Sequence, residues 1–257
     1  MSSSRLFLNS VLLRKDVSNE SRQAFQSKYG MLPPTFLTIS PTKKCNLKCI
    51  GCYAASSPST ETTLNWTLLN RIIEDAYSNM GMRFFVISGG EPLLYKSENR
   101  TILDLAERWS DCFFLMYTNG TLINENIASR MADLGNITPA ISIEGYDSET
   151  EERRGKGVYQ RIIKAKDNLI SNGVPFGLSV TATKKNISLL LNESFYDFYF
   201  NGFGATYMWV FQYMPIGRDF SEDLMISSRD RLQLHKIQDR ILSGKEYFIA
   251  DFWNSAP

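Results

Sequence analysis

Three of the four cysteines in this 257-residue chain fall within a single stretch of eight residues. The stretch reads CNLKCIGC and places thiols at Cys45, Cys49 and Cys52. Where the compartment keeps thiols reduced, clustered cysteines more often bind metal or act in catalysis than form disulfides. We therefore expect these three thiols to bind a metal centre.

The number of thiols favours one kind of centre. A structural zinc site takes four protein ligands, often from two separated pairs of cysteines. This chain has no second pair: Cys112 opens an apolar run typical of a core strand, and the only histidine, His235, lies near the far end. A [4Fe–4S] cluster has four irons, so three thiolates leave one iron with an open coordination position. Catalytic metal sites keep such a position open.

The elements that position these thiols follow from an alternation of β-rich runs and helical patterns. Between the runs, apolar residues recur every three or four positions, as in residues 67–80. Strand, helix, strand at this spacing predicts parallel strands joined by right-handed crossovers. The predicted strands are Phe36–Ser40, Phe84–Ser88, Phe113–Thr118, Ile137–Ile143, Phe176–Thr181 and Thr206–Phe211.

Six such units predict an α/β fold, a partial (β/α)6 TIM-like barrel with parallel strands. We expect residues 1–34 to form a helical or irregular segment that packs on the barrel, and residues 35–245 to form the core domain. Residues 246–257 look like a further strand that runs into a loop, and we expect them to begin a C-terminal extension that the chain truncates.

Functional groups of parallel α/β sheets gather in the loops after the strands. The cysteines follow the first predicted strand, and polar exceptions to the apolar pattern follow the others. We therefore expect these groups to share one rim. They are Gly89, Gly90 and Glu91 after the second strand, Asn119 after the third, Ser142, Glu144 and Arg154 at and beyond the fourth, and Gln212, Tyr213, Arg218 and Asp219 after the sixth.

CxxxCxxC after the first strand and GGEP after the second resemble the motifs of the radical S-adenosylmethionine (radical SAM) enzymes. The resemblance covers residues 35–211 and is strongest to members with a C-terminal extension of the SPASM or twitch type. These include molybdenum-cofactor cyclases, haem-modifying enzymes and peptide maturases. It implies a [4Fe–4S] cluster that reductively cleaves S-adenosylmethionine to a 5′-deoxyadenosyl radical. The radical then abstracts hydrogen from a substrate, here a peptide, tetrapyrrole or other small molecule.

The resemblance also implies roles for single residues. The carboxylate of Glu91 would accept the ammonium of S-adenosylmethionine, and Gly89 and Gly90 would let the backbone approach. Ser142 and Glu144, which alternate along one strand face, would bind the ribose. The carboxylate of S-adenosylmethionine would meet Arg154, with Arg153 as a competitor, and adenine the backbone near 208–210. Asn119 would face cofactor or substrate. Apart from the resemblance, their place on the rim leads us to expect substrate contacts from Gln212, Tyr213, Arg218 and Asp219.

One position departs from the family pattern. The residue before the last cysteine is often aromatic or histidine, but here it is Gly51. Two other classes of protein stay open at this point. A non-catalytic iron–sulfur electron carrier would need four ligands per cluster, and a structural zinc protein would serve as an interaction module.

Composition restricts the partners. Lys and Arg number 28 against 27 Asp and Glu, so the balance of charge gives no reason to expect nucleic acid or an acidic membrane surface. The first residues contain no apolar run long enough for a signal peptide, and we expect a cytoplasmic protein without a membrane span. Lys43, Lys44 and Lys48 beside the cysteines are suited to a one-electron donor such as an acidic flavodoxin or ferredoxin.

Overall fold

The computed structural model describes residues 18–251, with side chains from residue 20 onward. A seven-stranded parallel sheet forms its centre, and each strand pairs with the next one along the chain. The strands are β1 (Leu37–Ile39), β2 (Phe84–Ile87), β3 (Phe113–Thr118), β4 (Ile137–Ile143), β5 (Gly177–Ala182), β6 (Tyr207–Gln212) and β7 (Ile249–Asp251).

Helices connect the strands, and their ends follow the local sequence. The side chain of Asn65 accepts a hydrogen bond from Leu68 N to begin α2, which ends at Gly81 in a left-handed conformation (φ 64°). The helices are α1 (Ser18–Tyr29), α2 (Trp66–Met80), α3 (Ile102–Arg108), α4 (Glu125–Leu134), α5 (Asp147–Arg154), α6 (Val158–Ser171), α7 (Ile187–Leu190), α8 (Glu193–Asp197) and α9 (Ser228–Gly244).

The two faces of the sheet bury different residues because side chains alternate along a strand. One face packs against the helices and forms the core, with Phe85, Phe114 and Val180 among its fully buried side chains. The other face is concave and lines a cavity. On β6, for example, Met208 and Val210 are fully buried, whereas the alternating Trp209 is only partly buried.

Protein groups close the amino end of the sheet. The side-chain amide of Asn136 donates hydrogen bonds to the carbonyls of Ala106, Trp109 and Cys112. The Tyr207 hydroxyl lies 3.0 Å from the hydroxyl of Thr138 and donates to the carbonyl of Pro139. These bonds satisfy buried polar groups at this end of the sheet without a ligand.

The fold confirms the predicted α/β partial barrel. Two strands, Phe113–Thr118 and Ile137–Ile143, have the predicted bounds, and the others differ by one residue at one or both ends. The further strand expected after the six barrel units forms as β7, which pairs in parallel with β6 and brings the sheet to seven strands. The predicted roles of residues 1–34 and 246–257 stay predictions, since residues 1–17 and 252–257 lie outside the described part. Within 18–251, no helix is long and apolar enough to cross a membrane.

Candidate active site

A cavity of about 400 Å³ lies on the concave face, at the carboxyl ends of the strands. Cys45, Cys49 and Cys52 all line it, and each is half-buried with a free thiol. The other predicted site residues that line it are Gly89, Gly90, Asn119, Ser142, Arg153, Arg154, Gln212 and Tyr213. The predicted site residues that do not line it are Glu91, Glu144, Arg218 and Asp219.

Residues 45–53, here called the cysteine loop, contain neither helix nor strand, and neighbouring strand ends hold the loop in place. Before the loop, Gly90 N donates to Thr42 O and Glu91 N donates to Lys44 O, both at 2.8 Å. A Cβ on Gly90 would lie 2.2 Å from Lys44 O. The two glycines of GGEP therefore let this segment pack directly against the chain that enters the cysteine loop.

The end of β3 holds the loop through side-chain amides. Asn119 Nδ2 donates to Asn46 Oδ1 at 2.8 Å and lies 3.8 Å from Cys45 Sγ. Thr121 closes the contact, because its hydroxyl donates to Asn119 Oδ1 and accepts from Asn46 Nδ2. Asn119 therefore fixes the first cysteine as well as lining the cavity.

The end of α5 holds the middle of the loop through Arg153. Ile50 N donates to Arg153 O at 3.0 Å, and Arg153 Nε donates back to Ile50 O at 3.1 Å. Arg153 also reaches Glu144 at 2.6 Å, and Arg154 reaches the same carboxylate at 2.5 Å. Two guanidinium groups thus share one buried carboxylate and leave one positive charge in excess beside the cysteines.

Burial and charge act in opposite directions on Arg154. Burial alone lowers the pKa of a guanidinium, but Glu144 and the neighbouring Cys49 outweigh it, so the pKa of Arg154 rises. Arg154 therefore stays charged at the wall of the cavity. Glu144 itself is committed to the two arginines, so its side chain does not line the cavity with Ser142 as the alternation along β4 suggested.

Glu91 lies beneath the cavity and is fully buried. Its carboxylate accepts from the hydroxyl of Thr118 at 2.7 Å and from Asn119 N at 2.8 Å, and also from Leu93 N at 3.1 Å. Burial raises the pKa of Glu91, while these bonds oppose the shift. Its carboxylate ties the GGEP turn to the end of β3.

The remaining walls of the cavity differ in side-chain size. On β4 and β5 the lining residues are small hydroxyls, and Ser142 Oγ lies 3.1 Å from Ser179 Oγ. The opposite walls carry large rings, with Tyr117 and Phe211 in edge-to-face contact at 5.4 Å. Arg153 and Arg154 are the only charged side chains among the described residues that line the cavity.

The three thiols fit a metal cluster chemically. Burial raises the pKa of Cys45 to about 11 and also raises the pKa of Cys49, against the opposing effect of Arg154. Thiolates are the form that binds metal, and a coordinated cation deprotonates a thiol outright. Buried thiols that resist ionisation by themselves are therefore matched to a site that a cationic cluster completes.

The described residues contain no group of three or more His, Cys, Asp or Glu side chains arranged around a single ion. The three thiols line one cavity nonetheless, and a polynuclear cluster binds its thiolates on separate metal atoms. The fourth cysteine does not belong to this group. Cys112 lies before β3, at the amino end of the sheet, and is fully buried in the core.

Several residues of the site had no motif to reveal them. Asn46 lies inside the cysteine motif at a variable position, and Ser179 lies within β5 rather than at its end. Arg218, which we expected to contact substrate, donates through its side chain to Ser56 O instead. Of residues 208–210, Trp209 lines the cavity.

Comparison with known proteins adds a family assignment. Residues 39–196, more than half of the chain, match the model of the radical SAM superfamily. The chain is 30% identical over 148 residues to Fe-coproporphyrin III synthase of Methanosarcina barkeri. This match covers 57% of this chain and 36% of that protein. It is also 28% identical over 231 residues to mycofactocin maturase of Mycolicibacterium smegmatis. That match covers 87% of this chain and 57% of that protein.

The fold also matches a solved structure. The protein SuiB of Streptococcus suis bound to S-adenosylmethionine has a TM-score of 0.72 and 22% identity, with 90% of this chain and 54% of that chain covered. SuiB has also been solved with its precursor peptide. The chain thus spans between 36% and 57% of the length of these three proteins.

Proposed function

The chain belongs to the radical SAM superfamily, and from this premise we propose that it binds a [4Fe–4S] cluster and S-adenosylmethionine in the cavity. Cys45, Cys49 and Cys52 would hold the cluster. When bound, the cluster supplies one electron that cleaves S-adenosylmethionine to a 5′-deoxyadenosyl radical, which takes a hydrogen atom from the substrate. The observation that carries the proposal is the convergence of three half-buried thiols and an arginine pair on one cavity.

We assign the arginines to the carboxylate of S-adenosylmethionine. Glu144 neutralises one of the two guanidinium groups, so the pair retains one positive charge for an anionic ligand group. Arg fits this role because its planar fork can donate two parallel hydrogen bonds to a carboxylate. In this proposal Glu144 positions the arginines rather than binding the ribose.

Two further assignments differ from the sequence-based ones. We assign the ribose hydroxyls to Ser142 with Ser179, because these two hydroxyls adjoin each other on the cavity wall. The Glu91 carboxylate is committed to Thr118, Asn119 and Leu93, so the ammonium would meet the backbone of Gly89 and Gly90, which line the cavity.

The aromatic end of the cavity suits an apolar part of the substrate. Tyr117, Trp209 and Phe211 line this end. A porphyrin with several carboxylates would need cationic partners, which this end lacks among the described lining residues. We therefore propose that an apolar peptide side chain, rather than a tetrapyrrole, places its C–H bond here. The rings exclude water, which protects a radical from side reactions.

An electron donor would approach from the outer side of the cysteine loop. Lys43, Lys44 and Lys48 are all exposed there. Their charge suits an acidic one-electron donor such as a flavodoxin or ferredoxin. Both the donor and the cytoplasmic location belong to the proposal.

The test is anaerobic reconstitution with iron and sulfide, followed by reduction in the presence of S-adenosylmethionine. We expect iron and sulfide to bind and 5′-deoxyadenosine to form. Adding cell extract, with mass spectrometry of peptides and small molecules, would then find the molecule that changes mass.

The same experiment separates the alternatives. A structural zinc protein would retain zinc and stay colourless after reconstitution. An iron–sulfur electron carrier would bind iron and sulfide and accept an electron, but would form no 5′-deoxyadenosine and show no affinity for S-adenosylmethionine. Either result would overturn the proposal.

A further inference from the structure

Residues 213–221, which follow β6, cross to the cysteine loop and are called the strap below. The strap begins as a continuation of the sheet, because Tyr213 N donates to Ala182 O at 3.1 Å. It closes on itself, because the Tyr213 hydroxyl accepts from Ser221 N at 3.2 Å. The strap is thus a loop whose two ends are tied together at one side of the cavity.

The strap meets the last cysteine through its backbone. Arg218 N donates to Cys52 O at 3.0 Å, and the same carbonyl accepts from Ala55 N, just beyond the cysteine loop, at 3.0 Å. At Gly217, which has φ 84°, a Cβ would lie 2.2 Å from Cys52 O and 2.6 Å from Tyr53 O. Only glycine permits this approach, both by its conformation and by its lack of a side chain.

The strap makes two more contacts with the same part of the chain. The guanidinium of Arg218 donates to Ser56 O, four residues beyond the last cysteine. The buried ring of Tyr213 lies over Gly51, where a Cβ would come within 2.7 Å of the ring. The ring therefore occupies the space that a side chain at position 51 would fill.

Each part of the cysteine loop is thus held by a different element. The end of β3 holds Asn46, beside the first cysteine, and the end of α5 holds Ile50. The strap holds the backbone of the third cysteine and its neighbours. We propose that Gly217 and Arg218 are positioning residues for Cys52, so that the strap, and not the cysteine loop by itself, sets the place of the third thiol.

The strap also contributes to the cavity. Met214 and Ile216 are exposed and line its mouth, next to the aromatic end formed by Trp209 and Phe211. The segment that positions Cys52 is therefore the segment that a substrate meets on entry. A ligand that shifts the strap acts on the third thiolate through the backbone of Gly217 and Arg218.

The inference rests on the proposed function only where it takes Cys52 as a cluster ligand, so its main test uses the metal-free full chain. We would measure the alkylation rate of each thiol by iodoacetamide under anaerobic conditions, with peptide mass spectrometry. In Gly217→Ala we expect Cys52 to react about tenfold faster, because the loop around it opens locally, while Cys45 and Cys49 change by less than about twofold.

Gly244→Ala is the matched control, because nothing lies within 4 Å of a Cβ at Gly244. It should leave all three rates unchanged. Arg218→Leu, which removes the bond to Ser56 O, should raise the Cys52 rate, and Arg218→Gln, which keeps a donor, should restore much of the protection. This variant pair carries the test if Gly217→Ala does not fold.

The reconstituted protein gives a second readout, the electron paramagnetic resonance spectrum of the reduced cluster. We expect Gly217→Ala to shift its g-values and lower iron per chain, with thermal stability close to that of Gly244→Ala. An equal rise of all three alkylation rates would show general loosening and overturn the inference. An unchanged Cys52 rate would overturn it as well, whereas absence of any cluster in the parent would count against the proposed function alone.

Discussion

Cys49 and Cys112 are both substantially buried thiols whose pKa values burial raises, yet they lie at opposite ends of the sheet. At the amino end, Cys112 packs in the core, and Asn136 donates to its carbonyl. At the carboxyl end, Cys49 faces a cavity together with two other thiols and an arginine pair.

The difference teaches how this fold separates stability from chemistry. At the amino end, protein donors serve buried protein acceptors: the side-chain amide nitrogen of Asn136 donates to three carbonyls, and the hydroxyls of Thr138 and Tyr207 pair between β4 and β6. At the carboxyl end, buried bonds hold the backbone of the cysteine loop, while the reactive side chains face open space. A disruptive substitution at the amino end should therefore unfold the protein, and one at the carboxyl end should abolish its activity.

Replacing a cysteine at each end is the strongest way to break this comparison. We expect Cys49→Ala to abolish cluster retention and 5′-deoxyadenosine formation, because it removes one of only three ligands. Cys112→Ala should retain iron, sulfide and cleavage, because its thiol lies in the core. Iron analysis and anaerobic turnover check both variants. Loss of a full cluster from Cys112→Ala would show that the two ends are not separate.

Arginine substitutions sharpen the comparison at the carboxyl end. We expect Arg154→Leu to weaken binding of S-adenosylmethionine about a hundredfold, since it removes a buried charge-assisted contact and leaves Glu144 with one partner. Arg130→Leu is the control, because Arg130 also pairs with a carboxylate, Asp104 at 2.7 Å, but away from the cavity. Equilibrium binding to the reconstituted protein measures both, and equal losses would contradict the role of Arg154.

The pH dependence of thiol alkylation tests the carboxyl end without a metal. Because the pKa of Cys45 in the folded chain is about 11, above its value in the unfolded chain, folding favours the neutral thiol. At pH 9 we expect alkylation of Cys45 to be about fiftyfold slower than that of an unperturbed thiol, and to rise until about pH 11.

The stability that the buried Cys45 thiol contributes should be lost as pH rises through the same range. Per-residue alkylation from pH 7 to pH 11, beside an unstructured cysteine peptide, measures the shift. A rate for Cys45 that levels off near pH 9 would contradict the burial of this thiol.

A substitution at the amino end should act on stability alone. We expect Asn136→Ala to lower the free energy of unfolding by about 2 kcal/mol, because it removes the buried side-chain donor that the carbonyls of Ala106, Trp109 and Cys112 share, and of these only Trp109 O is shown with a second donor, Cys112 N. For a chain of this size the melting temperature would fall by roughly 5 °C. Thermal unfolding measures the loss. Affinity for S-adenosylmethionine should be unchanged below the melting transition, and a matching loss of affinity would tie the amino end to the site.

The sequence revealed most where a local rule governs structure. Six β-rich runs and apolar residues spaced every three or four positions located six strands and the main helices. Gly81 and Gly135 end α2 and α4 in the left-handed conformation that glycine adopts readily. The three cysteines drew attention because their spacing is itself a chemical pattern.

What the sequence did not reveal depends on contacts between distant residues. The alternation along β4 put Ser142 and Glu144 on one face, but β4 ends at Ile143, and Glu144 turns to two arginines on α5. Glu91 was predicted to bind the ammonium of S-adenosylmethionine because its carboxylate follows two glycines in the GGEP motif. Its burial beneath β3 is a tertiary fact that no spacing contains. The sequence placed residues of the strap on the rim but did not reveal their contacts with the chain around Cys52, because the bond from Arg218 to Ser56 joins residues 162 positions apart.

That separation has a consequence for the order in which the protein is made. The cysteine loop leaves the ribosome early, but Arg218, which bonds to Ser56, is synthesised 162 residues later. At the usual pace of translation this delay lasts roughly 10–30 s. Throughout that interval the third thiol exists without the segment that fixes it, and the nascent chain exposes its thiols to oxidants and metal ions. The cysteine motif is translated before the strap, and it is therefore among the last parts of the molecule to reach its final form.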